Sequence, residues 1–254
     1  MNKEQTFFVG YLALPKKYSR FLKLFLPFLF VALLVLSYVL SSYKNAPNKG
    51  KGWDPTGKTA ITVKAWLLTK PYVLARFKHQ SKVYTAILTA MDKRGIKNRV
   101  KGLHNQWVKL TGIMTHYEGR FVFNILDGKE AIVALKTKPT ISKTIFKKSF
   151  GLKTLQGEVI DPKCYVGAMK PGLGKTHKAC ATLCIKGGIP PALLVQDQLF
   201  KERFYLLLDE NGQAVLESIL PFVGDQVQLQ GEVQRWGDLW FYKMKKNSIK
   251  RINL

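Results

Sequence analysis

VKLTGIMTHYEGRFVFNI, Val108–Ile125, and VQLQGEVQRWGDLWFYKM, Val227–Met244, are one phrase written twice. Each opens hydrophobic-x-Leu-x-Gly and passes through a glycine turn, at Glu118-Gly119 or at Gly237, into an aromatic run. LQGEV at 155–159 repeats the opening a third time. Alternating apolar residues read as strands with one face turned inward. A glycine inside such a run marks a kink or a close approach of a neighbouring backbone. Short glycine-kinked strands of this kind read as small β-barrels of the OB type. Two in tandem account for a first unit at 60–150 and a second at 151–254, joined through the lysine-rich segment Lys136–Lys148. A single β-sandwich is the alternative.

Outward from the phrase, the same pattern continues. Ile61–Leu68, Pro71–Phe77 and Val83–Leu88 read as strands of the first unit, and a turn at Asp127-Gly128 follows its hairpin. In the second unit Thr154–Ile160, Ala192–Val195 and Phe204–Leu208 read as strands, with Ala214–Leu220 as a short helix. Lys93–Lys101 carries five positive charges in nine residues, a patch for phosphate or acidic lipid or simply a solvated loop.

Leu24–Tyr43 is a run of twenty residues without a charge, flanked by Lys23 and Lys44. That length spans a bilayer core, and the run exceeds a signal-peptide apolar region. The expected order is therefore a leader at 1–23, a transmembrane helix at 24–43 and a Gly/Pro/Lys-rich linker at 44–59. Basic residues favour the leader slightly over the far flank, which puts the N-terminus in the cytoplasm and the body outside. In a Gram-negative host this is a single-pass protein of the inner membrane with a periplasmic body. Lys and Arg number 41 against 16 Asp and Glu, a formal charge of +25. Such a surface needs an anionic counterpart, and membrane lipid is the expected one, with a membrane protein as further partner. An exported body does not meet nucleic acid, so nucleic acid is not expected, although Trp236, Trp240 and Phe241 fit the aromatic requirement of single-strand binding.

All three cysteines lie in GEVIDPKCYVGAMKPGLGKTHKACATLCIKGGIPP, residues 157–191. Thr176–Lys186 reads as a helix, capped by Thr176 and stopped by Gly187-Gly188 and Pro190-Pro191. On it His177, Cys180 and Cys184 stand at i, i+3 and i+7 and share a face, to which the fold must bring Cys164. Three thiolates and an imidazole suit zinc or another thiolate-liganded metal. The rival reading is a disulfide among Cys164, Cys180 and Cys184 with one thiol left over. Asp161 is an ordinary turn starter before Pro162 that is also placed to orient His177. Pro171-Gly172-Leu173-Gly174-Lys175-Thr176 imitates a phosphate-binding loop, but Met169 stands where the motif needs glycine. The glycine turn can still hold an anion through its N–H groups.

The run from Gly157 through Asp161, Lys163-Cys164-Tyr165, Gly167, Met169 and Pro171-Gly172, then His177, Cys180-Ala181, Cys184, Gly187-Gly188 and Pro190-Pro191, resembles the signature of uncharacterised membrane-anchored bacterial proteins. The resemblance implies architecture and location, not an activity. The metal-protease, serine-hydrolase and dinucleotide patterns are absent, and His79, His104 and His116 are scattered. The sequence thus points to an accessory protein rather than an enzyme. Its metal-binding or redox service to a membrane partner stands beside the alternative of a non-catalytic assembly subunit.

Overall fold

The computed structural model of this chain describes residues 15–43, 50–79, 81–137, 141, 145–196 and 202–252. Most of the expected leader, residues 44–49 of the linker and parts of the Lys136–Lys148 segment lie outside them. The chain divides into one unit over Met1–Ala46 and another over Pro47–Leu254.

Among the described residues of the first unit, one helix, α1, covers Lys16–Tyr43. It begins at Lys16 rather than Leu24, because Lys16–Lys23 contains strong helix formers and no breaker, and Pro15 sits just ahead of it. Its first turn is closed by the Ser19 N–H donating to the Pro15 carbonyl at 3.0 Å. Mean hydropathy reaches 2.3 within Lys16–Leu40, so this helix is long and apolar enough to cross a membrane.

The second unit is mainly β and holds two closed five-stranded barrels. The first is built from β1 (Ile61–Leu68), β2 (Leu74–His79), β3 (Lys82–Ala90), β4 (Gln106–Tyr117) and β5 (Arg120–Ile125), in the order β1-β2-β3-β5-β4 and back to β1. A short β6 (Ile132–Ala134) lies outside on β4. The second is built from β7 (Lys147–Ile160), β8 (Ala192–Gln196), β9 (Glu202–Leu208), β10 (Gln226–Trp236) and β11 (Leu239–Met244), with β12 (Lys250–Arg251) on β10. Its order, β7-β8-β9-β11-β10 and back to β7, is the same circuit. In both barrels the third and fifth strands run parallel and the other ring neighbours antiparallel. This is OB-like topology, and it excludes the single sandwich.

The repeated phrase is the hairpin of the fourth and fifth strands in each barrel, and its glycines explain the repeat. Gly112 pairs with Ile61 on one side and Ile125 on the other, the point at which β4 leaves one neighbour for the next. A Cβ there would lie 2.3 Å from the Asn124 carbonyl oxygen. Gly231 is its counterpart between Lys153 and Met244, and a Cβ would lie 2.3 Å from the Lys243 carbonyl oxygen. Leu110 and Leu229, two residues before each glycine, are fully buried in the respective barrel interiors.

Between the barrels lies a second apolar layer. Tyr72, Leu74, Ile87 and Val122 of the first pack with Ile160, Leu194, Phe204, Leu206 and Phe241 of the second. Strands β8 and β9 are buried on both faces, which is why they read as continuous apolar runs. The Tyr72 hydroxyl donates to the Leu207 carbonyl at 2.5 Å and accepts from the Val215 N–H at 3.1 Å. Asp238 accepts from the Thr85 N–H and hydroxyl at 2.7 and 2.6 Å.

Two local expectations change. The Pro71–Phe77 strand begins only at Leu74, and the helix expected over Ala214–Leu220 is a 3-10 turn over Glu217–Phe222. Ala214 bridges back to Leu208 instead, and Pro221 lacks the N–H that a longer helix would need.

Candidate metal centre

Each barrel links its first and second strands on the same side of the ring. In the first barrel residues 69–73 suffice, whereas in the second residues 161–191 intervene and carry every cysteine. Leaving β7, the Asp161 carboxylate accepts the Lys163 N–H through Oδ1 at 2.9 Å, the turn that its place before Pro162 leads one to expect. A π-helical turn over Cys164–Ala168 follows and is kinked inside at Gly167, whose φ of 146° suits glycine alone. The loop after it crosses directly over the site, since a Cβ on Gly172 would meet the Cys164 carbonyl oxygen at 2.6 Å.

Helix α2 covers Lys178–Lys186 and supplies Cys180 and Cys184. Thr176 is not its cap. Lys175–His177 forms a 3-10 turn, and His177 occupies the cap position without a side-chain capping bond. The reason lies one residue upstream, where the Gly174 N–H donates to the Glu158 carboxylate at 2.6 Å. The group that this glycine turn holds is thus the chain's own Glu158 side chain. Burial pushes the Glu158 carboxyl up, against the lowering effect of that hydrogen bond.

The sulfurs of Cys164, Cys180 and Cys184 lie within 4.8 Å of one another, and so do the donor atoms of Asp161, Cys164 and His177. Every residue singled out from the sequence is therefore here, in two triads that share Cys164 rather than in one four-donor shell. None of the three cysteines is in a disulfide, and Cys164 and Cys184 are buried while Cys180 is half-buried. Three sulfurs around zinc at about 2.3 Å would stand about 3.8 Å apart, so the triad fits a thiophilic ion with small inward adjustment.

Hydrogen bonding with Cys184, then burial and the Asp161 carboxylate, push the Cys164 thiol far up. Burial also raises Cys180 and lowers His177, so the imidazole is kept in the neutral form that binds metals. Asp161 Oδ2 and His177 Nε2 are buried and have no hydrogen-bond partner among the described residues. Buried polar atoms left in that state are costly, and such an orphan marks a place for an ion, a water or a ligand.

Lys163 is the residue that sequence reasoning missed. It is 4% exposed, and its ammonium donates to the carbonyls of Ala90 at 2.7 Å, Met91 at 2.9 Å and Asp92 at 2.6 Å in the first barrel. Burial lowers its pKa, and nearby Asp161 opposes the shift. From the other end of the insertion, the Gly95 N–H donates to the Gly187 carbonyl at 2.9 Å. The site is thus clamped between both barrels. Its only sequence signal was a lysine wedged between Pro162 and Cys164.

No protein-family model and no curated protein matches the chain. Among solved structures, a tetrameric p202 HIN2 is 11% identical, with 77% of this chain and 94% of that chain covered and a TM-score of 0.23. An Ifi202 HINa domain in complex with 20bp dsDNA is 12% identical, with 77% and 100% covered and a TM-score of 0.22. This corrects the exclusion of nucleic acid as a partner, since a neighbour of the chain is a DNA complex. At such TM-scores the likeness carries no argument about what this chain itself binds. Of the three aromatics noted for strand binding, Phe241 is buried core and Trp236 is stacked on it at 4.3 Å.

Proposed function

We propose that this chain is a membrane-tethered accessory protein whose second barrel holds a thiophilic metal ion, zinc or one of similar preference, on Cys164, Cys180 and Cys184. The observation that carries the reading is the convergence of all three sulfurs, from two separate elements, beside the buried His177 imidazole. In this reading α1 spans the bacterial inner membrane, the basic body stands on the periplasmic side near anionic lipid, and a membrane protein is the client. Bound metal would replace the thiol protons, which removes the energetic penalty of a buried thiolate cluster. The reading is that of a binding protein or redox accessory.

The second reading is an assembly subunit in which Cys164 is oxidised with Cys180 or Cys184. The shared position of Cys164, close to both partners, is what favours it. Elemental analysis and thiol counting on the untagged full chain separate the two. The metal reading expects co-purifying metal that falls in Cys180→Ser. A metal-free chain with one protected pair and one reactive thiol would overturn it in favour of the disulfide.

A further inference from the structure

The donors around Cys164 do not fit one ion. Two atoms bound to the same zinc are separated by at most the sum of their bonds, about 4.6 Å for two sulfurs and about 4.4 Å for sulfur and nitrogen. Within each triad the atoms lie inside 4.8 Å, yet the five donors do not all lie within that distance of one another. We infer that Asp161, Cys164 and His177 form a second metal position, with Cys164 Sγ bridging it to the ion of the three-cysteine triad. This rests on the metal reading above and names the stoichiometry and ligand set of that same site.

The second triad has features that a structural turn does not require. Asp161, Cys164 and His177 are all buried, with relative exposures of 0%, 4% and 4%. Asp161 uses Oδ1 for the Lys163 N–H and leaves Oδ2 unpartnered, and His177 leaves Nε2 unpartnered. The adjacent lysine ammonium is near this carboxylate but spends its hydrogen bonds elsewhere. An ammonium has three donors, and Lys163 directs bonds at three carbonyls of the other barrel. A divalent cation bound by carboxylate oxygen, thiolate sulfur and imidazole nitrogen would satisfy both orphans, and these are donor types that zinc and cobalt accept together. Half-buried Cys180 lies on the solvent side of the cluster, which makes the three-cysteine position the outer one and the Asp161 position the inner one.

The test is a titration of the reduced, metal-stripped full chain with Co2+, read by sulfur-to-cobalt charge-transfer absorption and checked by equilibrium dialysis with Zn2+. Two equivalents are expected in the wild-type chain. His177→Ala and Asp161→Asn should each bind one equivalent, half the wild-type amount, and keep the charge-transfer band of the three-cysteine position. A wild-type break at one equivalent overturns the second position while leaving the first standing, and it does so even if the variants fail to fold. No binding at all overturns the metal reading itself, and this inference with it.

Discussion

The two barrels share one circuit of strands and differ in what joins the first strand to the second. Five residues, 69–73, make that join in the first barrel, and thirty-one, 161–191, make it in the second. The short join only turns the chain and contributes Tyr72 to the layer between the barrels. The long one builds a cluster of cysteine, histidine and aspartate and anchors it back on the first barrel through Lys163. The barrels are therefore a common frame, and the candidate metal ligands sit in a single connection, as is common where loops carry function on a stable scaffold.

The largest test of this comparison concerns its common part. Gly112→Val and Gly231→Val each drive side-chain atoms into a carbonyl oxygen of the neighbouring strand. Each should destabilise the body by about 4 kcal/mol or more, seen as a drop in chemical-denaturation midpoint. A large loss from one and a small loss from the other would show that the barrels are not equivalent.

The next test concerns what only the second barrel has. Lys163→Met removes the ammonium and leaves three inward carbonyls unpaired, for an expected loss of about 3 kcal/mol. A loss under about 1 kcal/mol in the same denaturation experiment would mean that the insertion is not clamped to the first barrel.

The smallest effect sharpens the comparison within one pentapeptide. LQGEV occurs at 155–159 and 229–233, yet its two glutamates have opposite environments. Burial raises Glu158, whereas hydrogen bonds from Ser149, Lys243 and Gln234 bring Glu232 down to about 2. A raised carboxyl binds more protons in the folded state, so its contribution is present below the ordinary glutamate range and is lost as pH rises through the folded pKa. A lowered one contributes above the ordinary range and is lost as pH falls toward about 2. Thermal melts should therefore show Glu158→Gln gaining on the wild type as pH increases from acid to neutral. Glu232→Gln should fall behind over the same interval, modestly because this group is partly exposed. Parallel trends would contradict the assignment.

These contrasts also show what the sequence could and could not carry. Strand periodicity and the repeated glycine phrase were legible because each reports a local constraint, a buried face or a close backbone approach. β1 over Ile61–Leu68 and the hairpins at Glu118-Gly119 and Gly237 follow directly from it. The cysteine face was legible for the same reason, since Cys180 and Cys184 are one helical turn apart. Thr176 misled because its capping role depends on Gly174, which the Glu158 carboxylate, sixteen residues earlier, holds in place through a tertiary contact. Lys163 and the split of the donors into two triads were equally hidden. Both depend on how a connection folds back over the first barrel, and no spacing along the chain encodes that.

The central claim is that the connection unique to the second barrel is a thiolate metal centre. X-ray absorption at the zinc edge, on the full chain loaded with one equivalent and dialysed, tests it most directly. Retained zinc with a sulfur-dominated shell at about 2.3 Å is the expected result. Loss of the zinc on dialysis, or a shell of nitrogen and oxygen alone at about 2.0–2.1 Å, would contradict it.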